Sequence, residues 1–192
     1  MDPLQQLADL FAQARVDPCH DATAMTLSTV GSDGRPSARV VLLKGVDGGG
    51  LVFYTNTRSK KGRELANDPR VALTLWWPRI GWQVRVEGAA AAVRDAEADA
   101  YFATRARGSQ LGAWASDQSD PLASRAELEA RLAAFDARWP NQPVPRPPHW
   151  SGYRVTPTLI EFWKNRDDRL HEREEYSRAT PSAPWTTRLL NP

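Results

Sequence analysis

Cysteine is almost absent: Cys19 stands alone in 192 residues, which excludes a disulfide framework and any cysteine-based metal site. Its isolation fits a reducing compartment, and the chain is expected in the cytoplasm. Histidine is scarce too. His20, His149 and His171 lie far apart without ligand spacing, so no protein-held metal is expected. No stretch is long and apolar enough to span a bilayer, and the N-terminus lacks a signal-peptide pattern. An excess of one charge is missing as well. The 25 lysines and arginines against 23 acids leave +2, too little to argue for a nucleic-acid or membrane surface. There is no Ser-His-Asp spacing, no paired-carboxylate motif and no glycine-rich nucleotide loop. Such a chain suits a reaction whose hard step belongs to a bound cofactor.

What is present is an ordinary globular composition, 41% apolar and 25% charged, with eight tryptophans whose default role is core packing. One domain over residues 1–192 is expected, because no repeat or linker divides the chain. Leu4, Leu7, Leu10 and Phe11 mark one face of a helix in an N-terminal arm, residues 1–20. Alternation over Ala24–Thr29, extended apolar runs over Ser37–Lys44 and Leu51–Thr55, and glycine turns between them read as an antiparallel meander. Ser59 caps a short helix that ends at Asp68-Pro69. Strands follow over Val71–Trp77 and Gln83–Val93. Asp95 is expected to cap a helix through Tyr101 to Arg105 that Gly108 breaks. Ser124 and Glu127 form a capping box for a peripheral helix, residues 124–139. Three final strands are expected near 150–155, 159–163 and 185–190. The fold class is mainly β with peripheral helices (α+β), an antiparallel barrel.

Chemistry concentrates in a few places. Arg169, His171 and Arg173 occupy every second position; in an extended segment they share one face, where two cations and an imidazole invite an anionic or electron-rich ligand. A solvated strand end carries the same residues. Arg39 and Lys44 bracket an apolar strand, and their offset of five places them on opposite faces unless a bulge intervenes. Tyr54-Thr55 followed by Ser59-Lys60-Lys61 at a helix start makes a phosphate cradle, although a lysine pair on a solvated helix looks the same. Tyr101 and Arg105 share a helix face, and Ser109 lies where a second helix could begin; together they suit a second phosphate. Gln118-Ser119 and Gln83 offer amide and hydroxyl groups to a heterocycle edge. Two phosphate-friendly clusters imply two phosphorylated molecules, a cofactor and a substrate.

Taken in order, these segments resemble the pyridoxine/pyridoxamine 5′-phosphate oxidase family, FMN-binding split β-barrels. The resemblance runs from Ala22-Thr-Ala-Met25 to the C-terminus. It rests on Arg39-Val-Val-Leu-Leu-Lys44, Val52-Phe-Tyr-Thr-Asn56, Ser59-Lys-Lys-Gly62, Tyr101-Phe-Ala-Thr-Arg105, Ser109-Gln-Leu-Gly-Ala-Trp114, Gln118-Ser119, Glu161-Phe-Trp163 and Arg169-Leu-His-Glu-Arg173. It implies a homodimer with FMN at the subunit interface. It also implies FMN contacts by Arg39, Val40, Val41, Leu42, Leu43, Lys44, Tyr54, Thr55, Lys60, Lys61, Gln83, Gln118, Ser119, Trp163 and Arg173. Lys44, Tyr101, Arg105 and Ser109 would grip the substrate phosphate, while Arg169 and His171 would close over the pyridine ring as catalytic groups. The implied reaction oxidises pyridoxine and pyridoxamine 5′-phosphates with O2 to pyridoxal 5′-phosphate and H2O2, with ammonia from the amine, in vitamin B6 salvage. Three departures stand out: Lys60 where relatives often carry arginine, the Pro78-Arg-Ile-Gly-Trp82 turn, and an N-terminal arm too short for a full lid. The alternatives are a phenazine-biosynthesis oxidase of the same fold, or a non-catalytic flavin- or heme-binding split barrel.

Overall fold

A computed structural model describes residues 2–192. The chain opens with α1 (Pro3–Ala14), started by the Asp2 carboxylate accepting the Leu4 N–H and by proline in the first turn. Leu4, Leu7, Leu10 and Ala14 fall on one face and are buried in the main core. The N-terminal segment is therefore a core element here.

Strand β1 (Ala24–Val30) alternates as its sequence requires, turning Met25 and Leu27 inward. It pairs with β2 (Pro36–Leu42) through a turn in which Gly34 takes φ +77°. Then come β3 (Gly45–Asp47), β4 (Gly50–Asn56), α2 (Lys60–Asn67), β5 (Arg70–Trp77) and β6 (Trp82–Ala92). Three helices follow, α3 (Asp95–Ala103), α4 (Arg107–Ala115) and α5 (Arg125–Arg138). The chain closes with β7 (Trp150–Lys164), β8 (Glu172–Ser177) and β9 (Thr186–Leu189). All strand pairs are antiparallel, in the order β2-β1-β5-β6-β7-β4-β3, with β8 on β7 and β9 on β8.

The sheet curls round a core of Leu7, Met25, Leu27, Leu43, Leu51, Phe53, Leu73, Leu75, Val84, Val86, Ile160 and Phe162, all essentially inaccessible. A smaller cluster of Phe102, Leu111, Val144 and Trp150 holds α3 and α4 against the end of β4. Among the described residues no helix is long and apolar enough to cross a membrane.

Four local expectations are corrected. The two strands expected near 150–155 and 159–163 are one 15-residue strand, β7. Pro157 does not interrupt it, because the pairing shifts register between Glu87 and Gly88 opposite it, and a bulge tolerates the missing N–H. Asp95 is the first residue of α3 and not its cap; Arg146 takes the Asp95 and Asp99 carboxylates at 2.9 and 2.5 Å. The break after α3 falls at residues 104–106, so Gly108 and Ser109 lie within α4. The segment from Arg169 to Arg173 is not uniformly extended: Asp167–Arg169 forms a 3₁₀ turn, and β8 begins only at Glu172.

Candidate active site

The principal cleft, about 760 Å³, lies between edge strand β2, the end of β4, the start of α2, the α3–α4 turn and the loop after α4. Arg39, Lys44, Lys60, Lys61 and Arg105 line it, and among the described residues no acidic side chain does. Cations crowded without acids create a field that an anion relieves.

Lys61 carries the clearest signal. The residue is 8% exposed, and its Nζ donates to Gln118 Oε1 (3.0 Å), Thr55 Oγ1 (3.2 Å) and Ser59 Oγ (3.4 Å). All three acceptors are neutral. Burial above all, then the Arg39 charge, pulls its pKa below the ordinary 10.5 against the opposing pull of Glu64. A buried ammonium without a carboxylate partner is poised for an anionic ligand. Two local choices put it there. Ser59 caps α2 by accepting the Gly62 N–H, and Gly62 lets the helix start press against Thr57: a Cβ there would sit 2.1 Å from the Thr57 carbonyl oxygen.

Arg105 carries the second signal. Its guanidinium lies 4.7 Å over the Trp150 ring, and its Nη1 is buried with no hydrogen-bond partner. Burial lowers its pKa, partly offset by Tyr101. Arg105 lines the cleft, and a guanidinium there with one nitrogen left unpaired fits a phosphate oxygen. Tyr101 stacks on Tyr54 at 4.0 Å, and Tyr54 on Trp150 at 5.3 Å, which fixes one wall. Ser109, in the first turn of α4, lines the same cleft.

Arg39 and Lys44 reach this cleft together although a regular strand would separate them. Strand β2 ends at Leu42, and the Leu43 and Lys44 N–H groups turn to the Thr23 and Val52 carbonyls. Lys44 is freed from the alternation. Val40, Val41 and Leu42 line the cleft beside them, whereas Leu43 is buried in the core and does not. Thr55, Lys60, Gln118 and Ser119 complete the lining, Ser119 at φ +80°.

Gln83, Trp163, Arg169, His171 and Arg173 do not line this cleft. Register aligns Trp76, Gln83, Trp163 and Arg173 in one row across β5, β6, β7 and β8, on the face opposite the core. The His171 ring lies against Trp163 with centroids 4.3 Å apart and planes tilted by 40°, and its Nδ1 accepts the Arg166 N–H at 3.2 Å, so neutral His171 carries its proton on Nε2. Arg169, at φ +59° after Asp168 at φ +55°, is exposed and placed by the turn, so the expected single face of three alternating residues does not form. The Pro78–Trp82 departure is a hairpin turn with Gly81 at φ +68°; its carbonyl accepts the Asn165 N–H, and Gln83 keeps its place in the row.

Two carboxylates were missed. Glu161, 3% exposed, accepts Arg173 Nε at 2.7 Å and Arg85 Nη1 at 2.8 Å. Glu64 holds Arg39. Glu64 follows charged residues that suit a solvated helix, and Glu161, inside the apolar run Leu159–Trp163, carries no local sign of its arginine partners. Trp150 was missed as well; only its place beside an extended run could have flagged it.

Comparison with known proteins places these residues in context. Residues 12–138 match the family described as pyridoxamine 5′-phosphate oxidase, and residues 150–192 match the pyridoxine 5′-phosphate oxidase C-terminal dimerisation region. A pyridoxine/pyridoxamine 5′-phosphate oxidase of Myxococcus xanthus is 56% identical over 191 residues, covering 100% of this chain and 92% of the relative. One from Sphingopyxis alaskensis is 55% identical, over 100% and 88%. PhzG from Burkholderia lata, solved in complex with tetrahydrophenazine-1-carboxylic acid, superposes with a TM-score of 0.92 at 35% identity, over 99% of this chain and 92% of that one. A pyridoxamine 5′-phosphate oxidase-related, FMN binding protein from Nostoc punctiforme shares the fold, with a TM-score of 0.79 at 19% identity, over 100% and 99%.

Proposed function

The chain belongs to the pyridoxamine 5′-phosphate oxidase family, and on that premise we propose that it oxidises pyridoxine and pyridoxamine 5′-phosphates to pyridoxal 5′-phosphate with FMN as cofactor. FMN, when bound, supplies hydride acceptance from substrate C4′ and reoxidation by O2 with release of H2O2; when the substrate is the amine, water then hydrolyses the imine at C4′ to the aldehyde and ammonia. The observation that carries this reading is the pair of cations without carboxylate partners in one acid-free cleft, Lys61 among neutral oxygens and Arg105 with an orphaned Nη1. Two phosphorylated molecules answer to two such positions.

Lys60, Lys61, Thr55, Gln118 and Ser119 would hold the FMN phosphate end, with Arg39, Val40, Val41, Leu42 and Tyr54 along the flavin; Leu43, buried in the core, would not touch it. Lys44, Tyr101, Arg105 and Ser109 would bind the substrate phosphate, and the resulting orientation supplies much of the rate. Gln83, Trp163, Arg173, Arg169 and His171 lie on another face of the same chain, so they would serve a neighbouring copy's cleft. That arrangement requires a homodimer, and the C-terminal dimerisation match supports one. Val40, Leu42 and Trp76, exposed apolar residues on the outer face of the sheet, are suited to burial between the copies. His171 would donate from Nε2 to the pyridine substituents, since its Nδ1 is already an acceptor. Arg169 would place positive charge where the ring becomes electron-rich. The lone exposed Cys19 accords with a cytoplasmic setting.

The likeness to PhzG favours a second reading, a phenazine-pathway oxidase, but Lys44, Tyr101, Arg105 and Ser109 together equip the cleft for a phosphate. Anaerobic mixing of the FMN-loaded protein with pyridoxine 5′-phosphate is expected to bleach the flavin absorbance. A spectrum that stays oxidised with that substrate and bleaches only with a phenazine precursor would establish the second reading.

A further inference from the structure

Glu64 takes no part in the reading above, yet it is the most heavily bonded acid near the cleft. It is 7% exposed on α2. Its Oε2 accepts from Thr29 Oγ1 at 2.6 Å and from Arg39 Nη2 at 3.1 Å, and Ser37 Oγ donates across both oxygens at 3.0 and 2.9 Å. The two hydroxyls in turn accept from Arg39: Nη1 donates to Thr29 Oγ1 and Nη2 to Ser37 Oγ, each at 2.5 Å, and Nη1 also reaches the Leu27 carbonyl at 3.2 Å. Carboxylate, two hydroxyls and guanidinium close a ring across β1, β2 and α2. Both terminal nitrogens of Arg39 are occupied by protein acceptors, so its Nε–H is the donor left to a ligand.

We propose that Glu64 is a positioning residue for the flavin site: through Thr29 and Ser37 it locks Arg39 with its terminal nitrogens turned into the protein and its Nε edge toward the cleft. Arg39 therefore acts as a single oriented donor and a fixed positive charge, and the clamping of phosphate falls to Lys60, Lys61 and Arg105. The inference rests on the reading of this cleft as an FMN site. Lys60, whose Nζ lies 3.8 Å from Glu64 Oε1, is the other cation that Glu64 restrains.

Charge and geometry predict opposite signs, and that makes the idea testable. Glu64→Gln removes a negative charge beside an anion site, which by electrostatics alone tightens FMN. A positioning role instead predicts weaker binding, because a neutral amide holds the guanidinium less firmly and puts an NH2 group, which cannot accept, where Oε1 takes the Ser37 hydroxyl and faces Lys60. Glu64→Asp keeps the charge but withdraws the carboxylate by one methylene. FMN dissociation constants would be measured by flavin fluorescence on the folded apo-proteins, with circular dichroism as the check on folding. Both variants are expected to bind FMN about tenfold more weakly than wild type, the scale of one charged hydrogen bond. In an Arg39→Ala background, Glu64→Gln is expected to cause no further loss, since Glu64 acts through Arg39. Tighter binding by Glu64→Gln, wild-type affinity in Glu64→Asp, or additive losses in the double variant would overturn the proposal. A wild-type protein that fails to bind FMN would instead overturn the reading on which it rests.

Discussion

At the scale of single residues, Arg39 and Lys60 share Glu64, whereas Lys61 and Arg105 are cations in the cleft without a carboxylate partner. Lys61 shows what this costs the apo-protein. Its folded pKa is depressed below 10.5, so below that value the charged ammonium burdens the folded state. As pH rises from the depressed value toward 10.5, the folded chain releases the proton before the unfolded chain does, and stability rises. Lys61→Met should lack that rise and should melt about 3 °C higher than wild type at neutral pH without FMN. The same variant should bind FMN more weakly; melting curves across pH and a flavin titration check both halves. A second prediction concerns His171. With Nδ1 accepting from the Arg166 N–H, only Nε2–H is left to act on a substrate. A Gln amide imitates that donor, so His171→Gln should keep kcat/KM within about fivefold while His171→Leu falls further. If His171 were instead a general base, both variants would lose roughly a hundredfold or more.

At the scale of elements, the legible parts were those set by local pattern. The alternation of β1, the Ser59 cap of α2 and the Ser124 cap of α5, which accepts the Glu127 N–H, all stand in the structure. What escaped was set by long-range partners. Pro157 reads locally as a strand break and is absorbed by a bulge in β7, where Thr158 is skipped in the pairing with β6. Asp95 reads as a cap and is diverted to Arg146, 51 residues away. The segment from Arg169 to Arg173 reads as extended because nothing in it announces two consecutive left-handed residues, Asp168 and Arg169. Buried acids were the hardest to see, since only the fold reveals that Glu64 and Glu161 each meet an arginine. The α2 start depends on one local feature that was in view, Gly62. Gly62→Ala drives a Cβ into the Thr57 carbonyl, and shifting the helix to relieve it should cost about 2 kcal/mol in urea unfolding and weaken FMN binding as Lys60 and Lys61 move.

At the scale of the whole molecule, the curled sheet separates the expected site into two groups of residues. One lines the cleft beside the edge strand β2, and the other lies along β6, β7 and β8 on the outer face. Neither is a complete site for two aromatic phosphates. The first lacks the Trp163–His171 face, and the second lacks the phosphate-binding cations. On the proposed function, a two-fold pair would complete both at once and would bury the apolar side chains of Val40, Leu42 and Trp76. The most direct measurement mixes two variants, Arg105→Ala, crippled in the cleft, and an Arg169→Ala/His171→Leu double variant, crippled on the outer face. After the subunits exchange, a heterodimer has one site carrying all the damage and one intact. The account predicts that the mixture recovers about a quarter of wild-type activity, the share expected from random pairing of equal amounts. A mixture no more active than its separate components, despite demonstrated subunit exchange, would contradict it.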